Sequence, residues 1–272
     1  MRDELPERDD RWLPGPHARD ELSAALLAGG VAGPVTSHDR MNVRWKVGNL
    51  VRGDEESQFG LSGLEGYTQA EVLEMIGEEA GFDADPGLRF DPVPIEPDRV
   101  LDACGSAGQR LAQGAERGER IILATGHPMG LLLLYAAVGE LFEEHGGKIL
   151  QPAEGRTWLD RDRHRELRFA HGVAIVTNAR AHADGAAGIH THRPDAMRHM
   201  LEEATPDLVL ADHGLAGAAI EAGIDTIGIA DINDPALVVA KRQGRGGVIV
   251  MDDNVHPVSY WPCFQAIAAQ FA

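Results

Sequence analysis

The hydrophobic and polar positions of this chain keep two different rhythms, one on each side of residue 97. From residue 120 onward, short, mostly apolar runs recur at 121–125, 148–151, 173–177, 208–212, 226–230 and 248–251. Runs such as LVLA and GVIV show no alternation, which is the pattern of parallel strands buried on both faces. Between them, 129–144, 194–203, 214–222, 234–241 and 257–270 carry apolar residues at helical spacing. Strands alternating with helices predict an α/β fold, a doubly wound and mostly parallel Rossmann-like sheet. A helix over 97–117, with Val100, Leu101, Cys104 and Leu111 on one stripe, should pack beside the first strand. Gly105-Ser106-Ala107-Gly108 within it follows no strand, so it reads as close helix packing and not as a phosphate loop.

The first part of the chain is patterned differently. A helix is expected over 18–27, closed by Gly29-Gly30. Another is expected over 68–80, where Thr68 and Glu71 form a capping box, Val72, Leu73 and Ile76 form the apolar stripe, and Gly81 stops the run. In 36–51, Asn42, Arg44, Trp45 and Lys46 alternate with Met41 and Val43, which predicts a strand or hairpin whose polar face is either solvated or laid over a ligand. Residues 82–97 are dense in Asp, Gly and Pro and mark a boundary. The expected organisation is an N-terminal helical cap region, 1–96, followed by a catalytic α/β domain, 97–272. An Arg-rich excursion at 154–169 should form a hairpin or a flap over the sheet. Its Arg156, Arg161, Arg163 and Arg165 either clamp an anion or pair with neighbouring acids.

Composition narrows the partners. A length of 272 residues with 43% hydrophobic content can bury its own core, and the longest apolar run, 129–138, is too short to cross a bilayer. The net charge of −18 argues against nucleic acid and anionic membrane as partners, since both require a basic face. Cys104 and Cys263 stand apart and fit neither a disulfide framework nor a zinc knuckle. The acidic start MRDELPERDDRW has no secretory pattern, so a cytoplasmic location is expected. A homo-oligomer is compatible with all of this.

In open parallel sheets, ligands bind beyond the carboxyl ends of the strands. The turn after 121–125 holds Thr125, Gly126, His127 and Pro128, with Met129 and Gly130 opening the next helix. Its backbone N–H groups form a natural anion seat at a helix N-terminus. After the other strands come Asn178, His182, Asp184, His190 and His192; Asp212 and His213; Asp231, Asn233 and Asp234; and Asp252, Asp253, Asn254 and His256. His190 and His192, two apart on an extended segment, point the same way and can meet one ion. Asp212 and Asp231 add carboxylates to a set suited to Mg²⁺, Mn²⁺ or Zn²⁺. Asp212 reads equally as the N-cap of a helix, and Asp234-Pro235 reads as an N-cap followed by a first-turn proline, so Asp231 is favoured over Asp234. Asp252 and Asp253 repel one another unless a cation or a shared proton relieves them. The expected metal ligands are therefore His190, His192, Asp212, Asp231 and Asp252. His127, His213 and Asp231 are expected to carry the chemistry, and Thr125, Gly126, Met129, Gly130, Asn233 and Asn254 to hold the substrate.

The motifs ATGHPMGLL at 124–132, GIHTHRPDAM at 188–197, ADHGLAG at 211–217, GIADINDPAL at 228–237 and MDDNV at 251–255 occur in this order. Together they resemble a family of actinobacterial proteins of similar length named phosphatases, and the resemblance runs over most of 36–260. It implies hydrolysis of a phosphate ester of a small metabolite. The chain has no Cys-x5-Arg loop, no RHG motif and no DxD after an early strand, which leaves water attack assisted by a divalent metal. Two other readings remain open: a metal-dependent hydrolase or lyase acting on a carbonyl or carboxylate substrate, and a metabolite-binding protein without chemistry.

Overall fold

The computed structural model describes residues 9–84, 91–179 and 188–271. His182 and Asp184 lie outside the described residues. A 3-10 turn at Asp10–Trp12 leads into α1 (Arg19–Gly29), α2 (Arg40–Val51), the single turn α3 (Glu55–Gln58), α4 (Gln69–Ala80) and α5 (Pro97–Glu116). Then come β1 (Arg120–Ala124), α6 (Pro128–Glu144), β2 (Lys148–Ile149), β3 (Thr157–Asp160), β4 (Arg163–Ala170) and β5 (Val173–Asn178). The chain continues through α7 (Asp195–Glu203), β6 (Leu208–Asp212), α8 (His213–Glu221), β7 (Thr226–Ala230), α9 (Pro235–Arg242) and β8 (Gly247–Val250). A 3-10 turn at Pro257–Tyr260 and α10 (Trp261–Ala268) close it.

The strands form one sheet ordered β3-β4-β5-β1-β6-β7-β8, with β2 beside the start of β1. β1, β2 and β5 to β8 are parallel, as the apolar runs of β1 and β5 to β8 predict, and β3 and β4 are antiparallel. Helices α5, α6 and α10 pack together on one face, while α7, α8 and α9 pack on the other. The helices that follow the neighbouring strands β1 and β6 therefore leave toward opposite faces. That divergence opens a crevice between the two strand ends, the switch point at which α/β sheets bind ligands.

Close approach of the layers depends on absent side chains. A Cβ at Gly108 of α5 would lie 2.6 Å from the Ile267 carbonyl oxygen of α10, so the Gly-Ser-Ala-Gly stretch is indeed helix packing. Leu22 and Leu26 of α1, Val43 and Val47 of α2, and Val72 and Ile76 of α4 belong to the same hydrophobic cluster as the strands. Among the described residues, no helix is long and apolar enough to cross a membrane.

Three local expectations need correction. Residues 40–51 are helical and not a strand or hairpin: Asp39 accepts a hydrogen bond from the Asn42 N–H as an N-cap, and Val43, Val47 and Leu50 form a buried stripe at helical spacing. The polar alternation at 41–46 is a coincidence of a short window. The 154–169 excursion is a hairpin, but it lies in the plane of the sheet as an antiparallel edge and not over it. Its arginines pair with acids, Arg156 with Glu202, Arg161 with Glu56 and Arg165 with Asp160. The C-terminal segment is broken into a 3-10 turn and a shorter helix, with Pro262 in the first turn of the latter.

The expected capping box of α4 is present, with the Glu71 N–H donating to the Thr68 hydroxyl and the Thr68 N–H donating to the Glu71 carboxylate at 2.7 Å. Thr68→Ala should therefore lower unfolding stability by about 1 kcal/mol in a urea titration. An unchanged midpoint and slope would mean the box contributes nothing to α4.

Candidate active site

The crevice is built around a carboxylate that no solvent reaches. Asp212, at the end of β6, is fully buried, and its two oxygens are surrounded by donors. The Thr125 hydroxyl donates at 2.5 Å, the Gly126 N–H at 2.6 Å and the Tyr135 hydroxyl at 3.4 Å, while His213 Nδ1 lies 3.0 Å away. Asp212 occupies the N-cap position of α8 yet makes no side-chain cap bond. Its partners are across the sheet.

His213 is held in the left-handed region at φ 46°, which turns its ring from Asp212 toward two more carboxylates. Nε2 lies 3.2 Å from Asp234 and 3.4 Å from Asp253. Phe59, also left-handed at φ 55°, sets its ring edge-on against His213 and His192 at centroid distances of 5.6 and 5.3 Å. Two bulky residues in a conformation that side chains rarely tolerate, in contact with one another, are strain of the kind concentrated at functional sites.

Four imidazoles stand together. His192 stacks on His213 at 4.5 Å, His190 stacks on His127 at 4.6 Å, and the Nε2 atoms of His190 and His192 are 3.1 Å apart. The 188–193 segment reaches this position because the Ile189 N–H donates to the Val176 carbonyl and the Thr191 N–H to the Gly126 carbonyl. Any side chain on Gly126 would strike the Thr191 carbonyl, and any on Gly214 would strike that of His192. His127 completes the group, with Nδ1 3.2 Å from Asp253.

The charges are mutually adjusted. Burial opposes protonation of His213, yet Asp234 and Asp212 beside it raise its pKa well above the ordinary imidazole value. Burial alone would raise Asp234, but His213 brings it down to about 2. Burial and repulsion from His213 lower both His190 and His192, the latter to about 3, so these two rings stay neutral. Burial pushes Asp231 up to about 7 against the opposing influence of His38, whose Nε2 is 3.2 Å away.

The sequence-based candidates divide as follows. His127, His190, His192, Asp212 and His213 meet in one cluster, and Asp231 lies beside it, facing His38. Asp252 faces the N-terminal segment: it accepts from the Ser37 N–H and hydroxyl and also from the Asn254 N–H. Asn233 donates to Asn42 of α2 at 2.8 Å. Met129 and Asn254 are exposed, and Gly130 packs against the Asp253 carbonyl oxygen. In the turn after β1, expected to form an anion seat, two of the N–H groups are already engaged. That of Gly126 goes to Asp212, that of His127 goes to the Thr125 hydroxyl, and Pro128 has none.

Sequence reasoning passed over Asp234, Asp253, His38 and Phe59. Asp234 does sit at the N-cap of α9, but its side chain makes no cap bond and faces His213 instead. Asp253 could have been found from strand parity, since neighbours on an extended segment face opposite ways: Asp252 toward Ser37, Asp253 toward the histidines. No local signal marks His38 or Phe59.

Two donor sets emerge that could hold a metal: His190, His192 and His213, and His213, Asp234 and Asp253, each with ligand atoms within 4.8 Å of one another. The fit has independent support, because the Asp253 Oδ2 atom is buried, facing His213 Nε2 at 3.4 Å, without a hydrogen bond among the described residues. A Rossmann-like sheet carrying imidazoles and carboxylates at its switch point has the architecture of a ligand-binding α/β protein with a candidate metal centre. The model of the family described as Phosphatase matches residues 17–270, and the chain belongs to that family. It is also similar to a Streptomyces coelicolor protein named Phosphatase SCO2771, with 33% identity over 257 residues, covering 92% of this chain and 94% of that protein.

Thr125 is both donor to Asp212 and acceptor for His127. Thr125→Val should cost about 1–3 kcal/mol, because it strands a buried carboxylate and a buried N–H, while Thr125→Ser should cost much less. Equal destabilisation of the two in chemical denaturation would show that the methyl group, not the hydroxyl, matters there.

Proposed function

We propose that this protein is a phosphoric monoester hydrolase that acts on a small phosphorylated metabolite with the help of a bound divalent metal. The observation that carries the reading is His213 Nε2 placed between Asp234 and Asp253, with His190 and His192 alongside. Asp212, Asp231, Asp234, Asp252 and Asp253 are all buried at one sheet edge. So much negative charge out of water requires cations, and a phosphate dianion could not approach it otherwise. The name borne by the family and by the Streptomyces protein supports phosphate-ester hydrolysis over the carbonyl and binding-only readings.

In this reading His213, Asp234 and Asp253 hold the metal, with His190 and His192 completing or extending the set. Three imidazoles with two carboxylates suit Zn²⁺ or Mn²⁺ better than Mg²⁺, which prefers oxygen alone. A bound metal supplies Lewis acidity and a water acidified enough to attack phosphorus at neutral pH. Asp212 is then a positioning residue and not a ligand: it holds His213 Nδ1 and so presents Nε2 as the ligating atom, the usual carboxylate–histidine–metal relay. His127, whose Nδ1 is turned to Asp253, has Nε2 left to give a proton to the leaving oxygen. Asp231 holds His38 at the cap side of the cleft.

The test is phosphate release from sugar phosphates, nucleotides and an aryl phosphate by metal-stripped protein, with Zn²⁺, Mn²⁺ or Mg²⁺ restored singly. Release that depends on Zn²⁺ or Mn²⁺ is expected. Asp212→Asn should cost about 10- to 100-fold in metal affinity or activity, as the loss of an orienting carboxylate does. Silence across the panel with metal bound, or full activity in stripped protein, would sink the reading.

A further inference from the structure

Helix α2 meets the site through one face. Asn42 accepts the hydrogen bond of Asn233, and Lys46, one helical turn further on, lies on that same face. Lys46 is half-buried, and among the described residues it has no ion pair and no hydrogen bond. Its Nζ stands 5.8 Å from the centre of the neighbouring Trp45 ring. In a chain of net charge −18, an ammonium beside an acidic cluster is expected to find a carboxylate, as Lys241 finds Glu79 at 2.6 Å. Lys46 has none among the described residues, although Asn233, which Asn42 binds on that same face, is the chain neighbour of Asp234.

A phosphate entering the crevice needs positive charge from the cap side. In the turn after β1 the N–H groups of Gly126 and His127 are engaged, and none of that turn's N–H groups carries a full charge. Arg193, which follows the histidine pair, is held by Asp195 at 3.2 Å and faces Asp160 at 3.7 Å. Lysine suits the role: a point charge with three rotatable donors on a flexible stem can follow the phosphate from the bound ester to the released product. We propose that Lys46 is the phosphate-holding cation of this site, its ammonium delivered by α2 beside Asn42 to the non-bridging oxygens of the substrate phosphate. The proposal rests on the phosphatase reading for the identity of the ligand and adds the residue that selects a dianionic group.

The experiment is calorimetric titration of inorganic phosphate into the metal-loaded protein, together with steady-state kinetics on an aryl phosphate. Wild type is compared with Lys46→Met, Lys46→Gln, Lys46→Arg and a control of equal charge change, Lys148→Met. Lys148 is exposed at the start of β2, at the amino end of the sheet. Both neutral Lys46 variants should bind phosphate about tenfold or more weakly, with KM raised more than kcat is lowered. Lys46→Arg should recover most of the loss. Lys148→Met should match wild type, and all four variants should still bind zinc.

Undiminished phosphate binding in Lys46→Met and Lys46→Gln overturns the proposal. So does a loss in Lys148→Met as large as theirs, or a wild type that binds no phosphate. Lys46-dependent phosphate binding without turnover of any ester would sustain the proposal and remove the catalytic reading instead. Turnover that is indifferent to Lys46 would do the reverse.

Discussion

One buried carboxylate sets the geometry on which the site depends. Asp212 has been taken out of water at the end of a central strand, and such a charge is tolerated only if its lone pairs are met. The donors that meet it come from four places: the end of β1, the turn after it, α6, and the residue that begins α8. Satisfying Asp212 thus fastens β1 to β6 at the point where their helices part, and it fixes the ring of His213. Gly126 and Gly214 lack side chains where a Cβ would strike backbone carbonyls of the histidine segment, so the same constraint extends to His190 and His192.

A second consequence is that the site is shared between the two regions of the chain. The sheet supplies carboxylates and imidazoles, and the N-terminal segment supplies what meets them. Ser37 binds Asp252, His38 faces Asp231, Asn42 binds Asn233, and Phe59 closes over His192 and His213. The helices of that segment also share the hydrophobic cluster of the sheet. Docking of the N-terminal helices and completion of the site are one event, because the polar contacts at the cleft and the apolar contacts beneath it join the same elements.

The sheet was legible in the sequence because parallel strands, apolar on both faces, leave a signal within five residues. The strands expected from the sequence coincide with β1, β2 and β5 to β8 to within a residue or two at each end. α2 was not legible in the same way, because its buried stripe of Val43, Val47 and Leu50 is separated by a polar alternation that imitates a strand over a shorter window. The capping residue Asp39 was the available clue. At the site, residue type was readable and direction was not. Asp252 and Asp253 are chemically identical neighbours, and only the exit path of β8 determines which of them faces the histidines. Asp234 resembled an ordinary N-cap until the left-handed turn at His213 brought an imidazole to it.

By itself, then, the sequence determined the fold class, the order of strands and helices after residue 97, and the placing of histidines and aspartates in the loops at the carboxyl ends of strands, since each of these is written in local periodicity. The tertiary structure decided which of those side chains meet. His38 and Asp231, Asn42 and Asn233, Asp212 and Thr125 are partners across long separations in the chain. Such pairing is a property of strand order and crossover direction, and no local window contains it.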